Sequence, residues 1–390
     1  MTQLTPHLAA AAANAAYTML TPGNLNMGAF PYVGTIDAAF PMAGSNRLSG
    51  VSGNMFRRIG SGFGYCAMGK SGSTWDGHLL IATRGTQTTE DWLSNFNFSA
   101  EPGPGGFPVH TGFHKIYKSM QPELIDAITD LKRNNTINHV HCVGHSLGGA
   151  LATLNAAWAS SQRMGQVSCY TFGAPRVGSL PFALWLQSRL GSENLRRVYH
   201  PADPVPMIPL FPFFHAPTSS GIALVNSDGA LVDKSFHNRT DVYLEESKKF
   251  GSWAGMAHAG VQPDSGLKIQ QWLAQGGVTN GFVMGSARLL GLIGDALAWI
   301  VQQAIKAGVG VVAFTGATLL DQIASIIHAG ARVSITLYGY AETLVKMIFR
   351  FLGRVRRAAA DLTMDFLRWV LGLLFGVLAN TARRALDMLP

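Results

Sequence analysis

The chain has 390 residues, 47% hydrophobic and only 13% charged, with 30 Lys and Arg against 22 Asp and Glu for a net charge of +8. That length allows one large or two moderate domains, and the apolar excess calls for something beyond an ordinary soluble core. The positive balance suits an anionic surface, but the basic residues are scattered without interleaved aromatics and no nucleic-acid motif is present, so nucleic acid is excluded in favour of lipid.

The N-terminal stretch MTQLTPHLAAAAANAAYTML lacks the basic n-region and leucine-rich core of a secretory signal. The expectation is a protein made in the cytoplasm that leaves, if it does, by a non-Sec route. Residues 7–20 are Ala-rich and read as a helix, and Thr21 to about Gly62 reads as loop-rich wrapping. From Gly64 short apolar runs alternate with helical stretches: GYCAM, HLLIAT, TGFHKIYKSMQPELIDAITDLKR, HVHCVG, LGGALATLNAAWASS, VSCYTF and LRRVYH. Strands separated by crossover-length helices predict an α/β fold with a mainly parallel sheet covered on both faces. Cys66, Cys142 and Cys169 each sit in a strand-like run, which predicts buried free thiols rather than a disulfide framework.

Near residue 220, GIALVNSDGALVD reads as a β-hairpin, followed by a polar helix NRTDVYLEESKKF. After Gly276 the composition shifts to Ala, Leu, Ile and Val, with arginines at 350, 354, 356 and 357. The division expected is a catalytic domain over 1–276 and a helical, apolar and basic region over 277–390. Apolar runs at 307–320 and 369–382 stop short of the roughly twenty uncharged residues that a bilayer span takes, so they read as interfacial or packed helices. Arginines bordering them suit anionic headgroups, which predicts membrane-surface association through the C-terminal helices. A helical cap on the catalytic domain and a docking surface for a chaperone or delivery partner are the competing readings.

The chemistry centres on His139 to Ala150, where an apolar strand runs into G-H-S-L-G and then a helix. A nucleophile elbow needs small residues at Gly144 and Gly148, because the serine occupies a sharp strand-to-helix turn. Ser146 is therefore the expected nucleophile, and the N–H of Leu147 at the helix start the first oxyanion donor.

At these residues the sequence resembles the class 3 lipases, which are α/β-hydrolases. GHSLGGALA matches the elbow, ATRGTQTTEDWLSNFNF an upstream R-G-[ST] and W-x-x-[DN] block, and VHTGFHKIY a V-H-x-G-F block. YTFGAPRVG and YHPADPVPMIP follow, similar to T-F-G-x-P-R-x-G and D-x-V-P-x-x-P. The resemblance covers about residues 60 to 250. It implies a Ser, Asp, His order for the triad, with Asp203 as the acid in the D-P-V-P block. It points to His237 as the base, preceding a Tyr243-Leu244 helix whose tyrosine is displaced by about one position from the family spacing. His258 is the runner-up; His215 and His328 read as a loop and a core or interfacial residue. It also makes Thr86 the second oxyanion donor, and places a lid over Gln87 to about Gly106 with Trp92, Phe96 and Phe98, unless those aromatics are core.

The function implied is ester hydrolysis on lipid or phospholipid through an acyl-enzyme. Esterase action on non-lipid esters such as feruloyl esters is one alternative, and a membrane-disrupting protein with a vestigial hydrolase is another. More loosely, the chain resembles antibacterial phospholipase effectors delivered by contact-dependent machinery, which implies a delivery, chaperone or immunity partner. The mechanism needs no cofactor, and the histidines, scattered along the chain, show no metal-ligand spacing.

Overall fold

The computed structural model describes residues 2–20, 33–42, 46–52, 59–85, 100–209, 212–218, 221–224, 231–259, 266–277, 285–309, 319–354 and 362–386. Helix α1 (Pro6–Ala15) opens the chain, capped by the Thr5 side chain and with proline in its first turn. It runs into a tight turn at Ala16–Leu20 and is followed by α2 (Val33–Ala39). Strands β1 (Asn46–Ser52), β2 (Ile59–Met68), β3 (His78–Thr83), β4 (Ala100–Pro102) and β5 (Pro108–His110) lead to α3 (Thr111–Lys132). Then come β6 (His139–His145), α4 (Leu147–Ser161), β7 (Gln166–Phe172), β8 (Gly178–Ser179), α5 (Leu180–Leu190), β9 (Leu195–Tyr199), β10 (Phe213–Phe214) and β11 (Ile222–Ala223).

The main sheet has the order β1-β2-β3-β6-β7-β9-β11 and is parallel from β3 to β11, with β1 and β2 antiparallel at one edge. The sheet is mainly parallel and helix-covered, as expected. Alternation along each strand divides two apolar layers. Cys66, Leu79, Ile81, Val140 and Cys142 pack under Phe113, Tyr117 and Met120 of α3 and Leu151 and Leu154 of α4. Tyr65, Leu80, Ala82, Val143 and Phe172 face the alanines of α1, whose small side chains suit a close approach to β6. Each large side chain so buried contributes about 1.5–3 kcal/mol over leaving it in water. The three cysteines are buried free thiols.

Two local expectations are corrected. The stretch taken as wrapping contains α2 and β1, and β1 escapes notice because NRLSGVS has few apolar residues, as an edge strand can. The segment near 220 is not a simple hairpin: β11 joins the main sheet parallel to β9, and Leu231 pairs in isolation with Ser286. The Asp-Gly turn itself lies outside the described residues.

Beyond α6 (Trp253–Ala259) and α7 (Gly266–Ala274), four long helices follow: α8 (Ala287–Lys306), α9 (Leu319–Val333), α10 (Ile335–Phe351) and α11 (Met364–Leu386). Their apolar faces join the α3 and α4 layer in one contiguous core, so the composition shift near 277 marks a change of chain character rather than a break in packing. Helix α11 lies against the turns Val205–Met207 and Lys234–His237. By length and composition α8 and α11 could cross a bilayer, but 50% and 39% of their apolar windows are buried in protein.

Candidate active site

The elbow follows from steric demand. β6 ends at His145, α4 starts at Leu147, and Ser146 between them holds φ 61°. A non-glycine residue there costs of order 1–3 kcal/mol and persists only where its neighbours over-determine it. Ser146 N–H donates to the Phe172 carbonyl at 2.9 Å, and Gly149 N–H donates to the Ser146 carbonyl at 2.8 Å. A Cβ on Gly144 would sit 2.1 Å from the Gly148 oxygen, and one on Gly148 would sit 2.3 Å from the Thr83 oxygen. The two glycines are therefore required by the crossing itself.

Ser146, Asp203 and His237 meet at this elbow. His237 Nε2 lies 2.8 Å from Ser146 Oγ, and its Nδ1 lies 2.7 Å from Asp203 Oδ2. All three are buried. Asp203 follows β9, and its Oδ1 accepts from Val205 N–H at 2.9 Å. Its Oδ2 also accepts a short hydrogen bond from the Tyr243 hydroxyl, which in turn accepts from His200 N–H at 3.1 Å. A carboxylate surrounded by donors makes Nδ1 of His237 the protonated nitrogen and leaves Nε2 to accept from the serine, the tautomer a general base needs.

His237 is held from both sides. Asp233 caps its turn by accepting from Ser235 N–H, and Asn238 caps the next helix by accepting from Thr240 and Asp241 N–H. The other imidazoles named from the sequence lie elsewhere. His258 is exposed on α6, His215 Nε2 is 2.9 Å from the Pro206 carbonyl, and His328 Nδ1 is 2.8 Å from the Leu362 carbonyl.

Leu147 is the first residue of α4, where backbone N–H groups have no intrahelical partner. Thr86 lies outside the described residues, as do Trp92, Phe96, Phe98 and the rest of the lid segment to residue 99. The chain leading to Thr86 is anchored: Thr83 Oγ1 donates to the Gly148 carbonyl at 2.7 Å, and the buried Arg84 donates through Nη1 to the Gly85 carbonyl at 2.6 Å. Burial draws the Arg84 pKa down to about 10.

Two contributors escape the sequence analysis. Tyr17 OH lies 3.0 Å from His145 Nδ1 and accepts from Gly85 N–H at 3.2 Å, joining the N-terminal helix to the elbow and the oxyanion loop. The His145 ring packs 4.6 Å from that of His237. Burial, reinforced by His237, holds the His145 pKa well below the ordinary imidazole value, so no second cation forms behind the base. Tyr243, which the sequence analysis used only to place His237, also holds Asp203; nothing local marks Tyr17. Tyr243→Phe removes one donor from Asp203 and strands the His200 N–H, and lowers unfolding free energy by about 1–3 kcal/mol in denaturant titrations.

The sequence shows no metal-ligand spacing, yet the fold brings three histidines together. Parallel register sets His78 of β3 opposite His139 of β6, and a ring nitrogen from each of His78, His139 and His141 lies within 4.8 Å of the others. Sequence separation hides the set because only strand pairing brings residue 78 to residue 139.

Residues 80–213 match the family model described as Lipase (class 3). The matched region contains the elbow and Asp203 and ends before His237. Secreted mono- and diacylglycerol lipase 1 of Fusarium solani is 34% identical over 160 residues, 40% of this chain and 46% of that protein. A lipase of Rhizomucor miehei is 34% identical over 35% of this chain and 40% of its own length. Phospholipase A1-II 4 of Oryza sativa subsp. japonica is 32% identical over 34% and 40%. The chain spans about half the length of the first of these curated relatives. A crystal structure of a mono- and diacylglycerol lipase from Aspergillus oryzae aligns over 66% of this chain and 95% of its own, with 22% identity and a TM-score of 0.44.

Proposed function

We propose that the chain hydrolyses carboxylic esters of lipids, with Ser146 as nucleophile, His237 as general base and then acid, and Asp203 orienting the imidazole. The observation that carries this is the hydrogen-bonded line from Ser146 Oγ through His237 to Asp203 Oδ2, with the serine on a positive-φ elbow. His237 Nε2 takes the hydroxyl proton as Oγ attacks the acyl carbonyl. The N–H of Leu147, with Thr86, holds the oxyanion, and collapse expels the alcohol protonated by His237. Water activated by the same imidazole then attacks the acyl-serine and releases the fatty acid.

The lipid class rests on the relatives, named for mono- and diacylglycerol lipase and phospholipase A1 activity, and on the apolar C-terminal helices. Among the described residues ten large hydrophobics are exposed, and seven lie past residue 300: Ile305, Val333, Ile335, Tyr338, Met364, Trp369 and Val377. Such a concentration favours a surface that meets a lipid interface. Delivery by a non-Sec route with a chaperone or immunity partner is the corresponding proposal for localisation, and it rests on the resemblance to effectors alone.

The test supplies phospholipid vesicles, diacylglycerol, short-chain soluble esters and feruloyl esters to the wild type and to Ser146→Ala, with products read by mass spectrometry. Lysophospholipid or monoacylglycerol with free fatty acid, formed by the wild type alone, is the expected result; preference for the soluble esters overturns the lipid assignment. The interface is tested separately. In full-length Ser146→Ala protein, adding Val333→Ser, Ile335→Ser and Trp369→Ser weakens flotation with anionic vesicles by on the order of 10²-fold, each change removing about 1 kcal/mol or more of apolar transfer. Vesicle damage that persists in Ser146→Ala would favour the membrane-disrupting alternative.

A further inference from the structure

We propose that His78, His139 and His141 bind a single first-row divalent transition-metal ion of the zinc class, in a structural site separate from the ester-cleaving one. The three imidazoles lie on one face of the sheet: His78 is the register partner of His139, and His141 is two residues further along β6. A ring nitrogen from each lies within 4.8 Å of the other two, and His78 Nδ1 is already 2.8 Å from His141 Nε2. Tetrahedral zinc with Zn–N of about 2.0–2.1 Å sets its ligand nitrogens roughly 3.3 Å apart, and the stacked His139 and His141 rings, 4.1 Å between centroids, turn about their side-chain torsions to close the site.

The hydrogen bonds decide which nitrogens are free. Asn194 Nδ2 donates to the Leu190 carbonyl at 2.7 Å, which fixes the amide and makes Oδ1 an acceptor. The 3.1 Å contact between Ser168 Oγ and that Oδ1 then needs the serine proton. Ser168 Oγ, 2.9 Å from His139 Nε2, is left to accept, so His139 carries its proton on Nε2. Its Nδ1 is a bare lone pair on a side chain 1% exposed, without a hydrogen-bond partner among the described residues. A buried acceptor with no donor is costly, and a cation satisfies it.

The remaining members fit the same use. With metal bound, His141 Nδ1–H donates to the Tyr170 hydroxyl oxygen, 3.3 Å away, which also accepts from Leu4 N–H at 3.1 Å, and His141 Nε2 is the atom that coordinates. Ser168 and Tyr170 thereby act as the outer partners that orient metal-bound imidazoles. His78, less buried than His139 and His141, is the entry side. Three imidazoles without thiolate or carboxylate suit zinc, nickel, copper or cobalt rather than calcium or magnesium. The seven residues from His139 to Ser146 put the cluster about 20 Å from the catalytic hydroxyl, at the opposite end of β6. The ion would pin β3 to β6.

The experiment uses the full chain stripped with chelator. Titration with Co²⁺ is expected to develop visible tetrahedral bands that saturate at a single equivalent and are displaced by Zn²⁺. Zn²⁺ raises the melting temperature of the wild type and of Ser146→Ala alike. His78→Ala and His141→Asn each weaken Zn²⁺ binding at least about tenfold, whereas His258→Ala, on an exposed helix, leaves it unchanged. X-ray absorption on the zinc-loaded wild type, which depends on no variant, reads three imidazole ligands. A lower imidazole count, absence of the cobalt bands, or His78→Ala binding as tightly as wild type overturns the proposal.

Discussion

Ser146→Ala lowers kcat/KM for ester hydrolysis by on the order of 10⁴-fold or more, with the loss in kcat. The size follows from what is removed: the only atom lost is Oγ, whose partner is His237 Nε2 at 2.8 Å. Binding surface and oxyanion donors stay in place, so KM moves little. The serine side chain caps nothing in α4, and the backbone bonds of the elbow belong to N–H and C=O groups that alanine retains. Melting temperature therefore stays within a few degrees of wild type, which separates loss of chemistry from loss of fold. Steady-state kinetics with a thermal melt on the same preparation check both halves.

Asp203→Asn lowers kcat by about 10⁴-fold and, unlike the serine change, also destabilises the protein. Asp203 receives three donors: Val205 N–H on Oδ1, and His237 Nδ1–H and Tyr243 O–H on Oδ2. An asparagine offers one oxygen. If its amide nitrogen faces Oδ2's partners, the imidazole must present an unprotonated Nδ1 and so carry its proton on Nε2, where it cannot accept from Ser146. If the amide turns the other way, its nitrogen meets the Val205 N–H. One buried donor is left unpaired in either case, at about 1–3 kcal/mol. Near-wild-type kcat in this variant would mean that something other than Asp203 orients His237.

What the sequence makes legible is what is local. The elbow is a pentapeptide in which Gly144 answers a contact with Gly148, four residues on, and the alternation of apolar runs with crossover helices is enough to name the parallel sheet. Asp203 is legible because it stands directly after a strand. His237 is harder: it follows a segment whose pairing differs from the hairpin that the Asp-Gly signal suggests, since Leu231 pairs with Ser286 and β11 with β9. Contacts fixed only by the closed fold are invisible in one dimension. Tyr17 reaches His145 across 128 positions, and His78 meets His141 across 63. The support that α11 gives the turn carrying His237 is equally hidden, because its apolar face reads the same whether it meets protein or lipid.

That last contact also bears on where the C-terminal region acts. Helix α11 packs on the turns bearing His237 and following Asp203, while Trp369 on the same helix is 50% exposed. One helix thus borders the catalytic geometry on one side and presents an aromatic outward on the other.

The central claim is that Ser146 is an activated nucleophile, and covalent capture tests it most directly. The folded wild-type chain is treated with a fluorophosphonate, then digested and mapped by tandem mass spectrometry. Phosphonylation is expected on Ser146 alone, abolished by prior denaturation and slowed severely in His237→Ala. A folded protein that stays unlabelled, or labels at another serine, contradicts it.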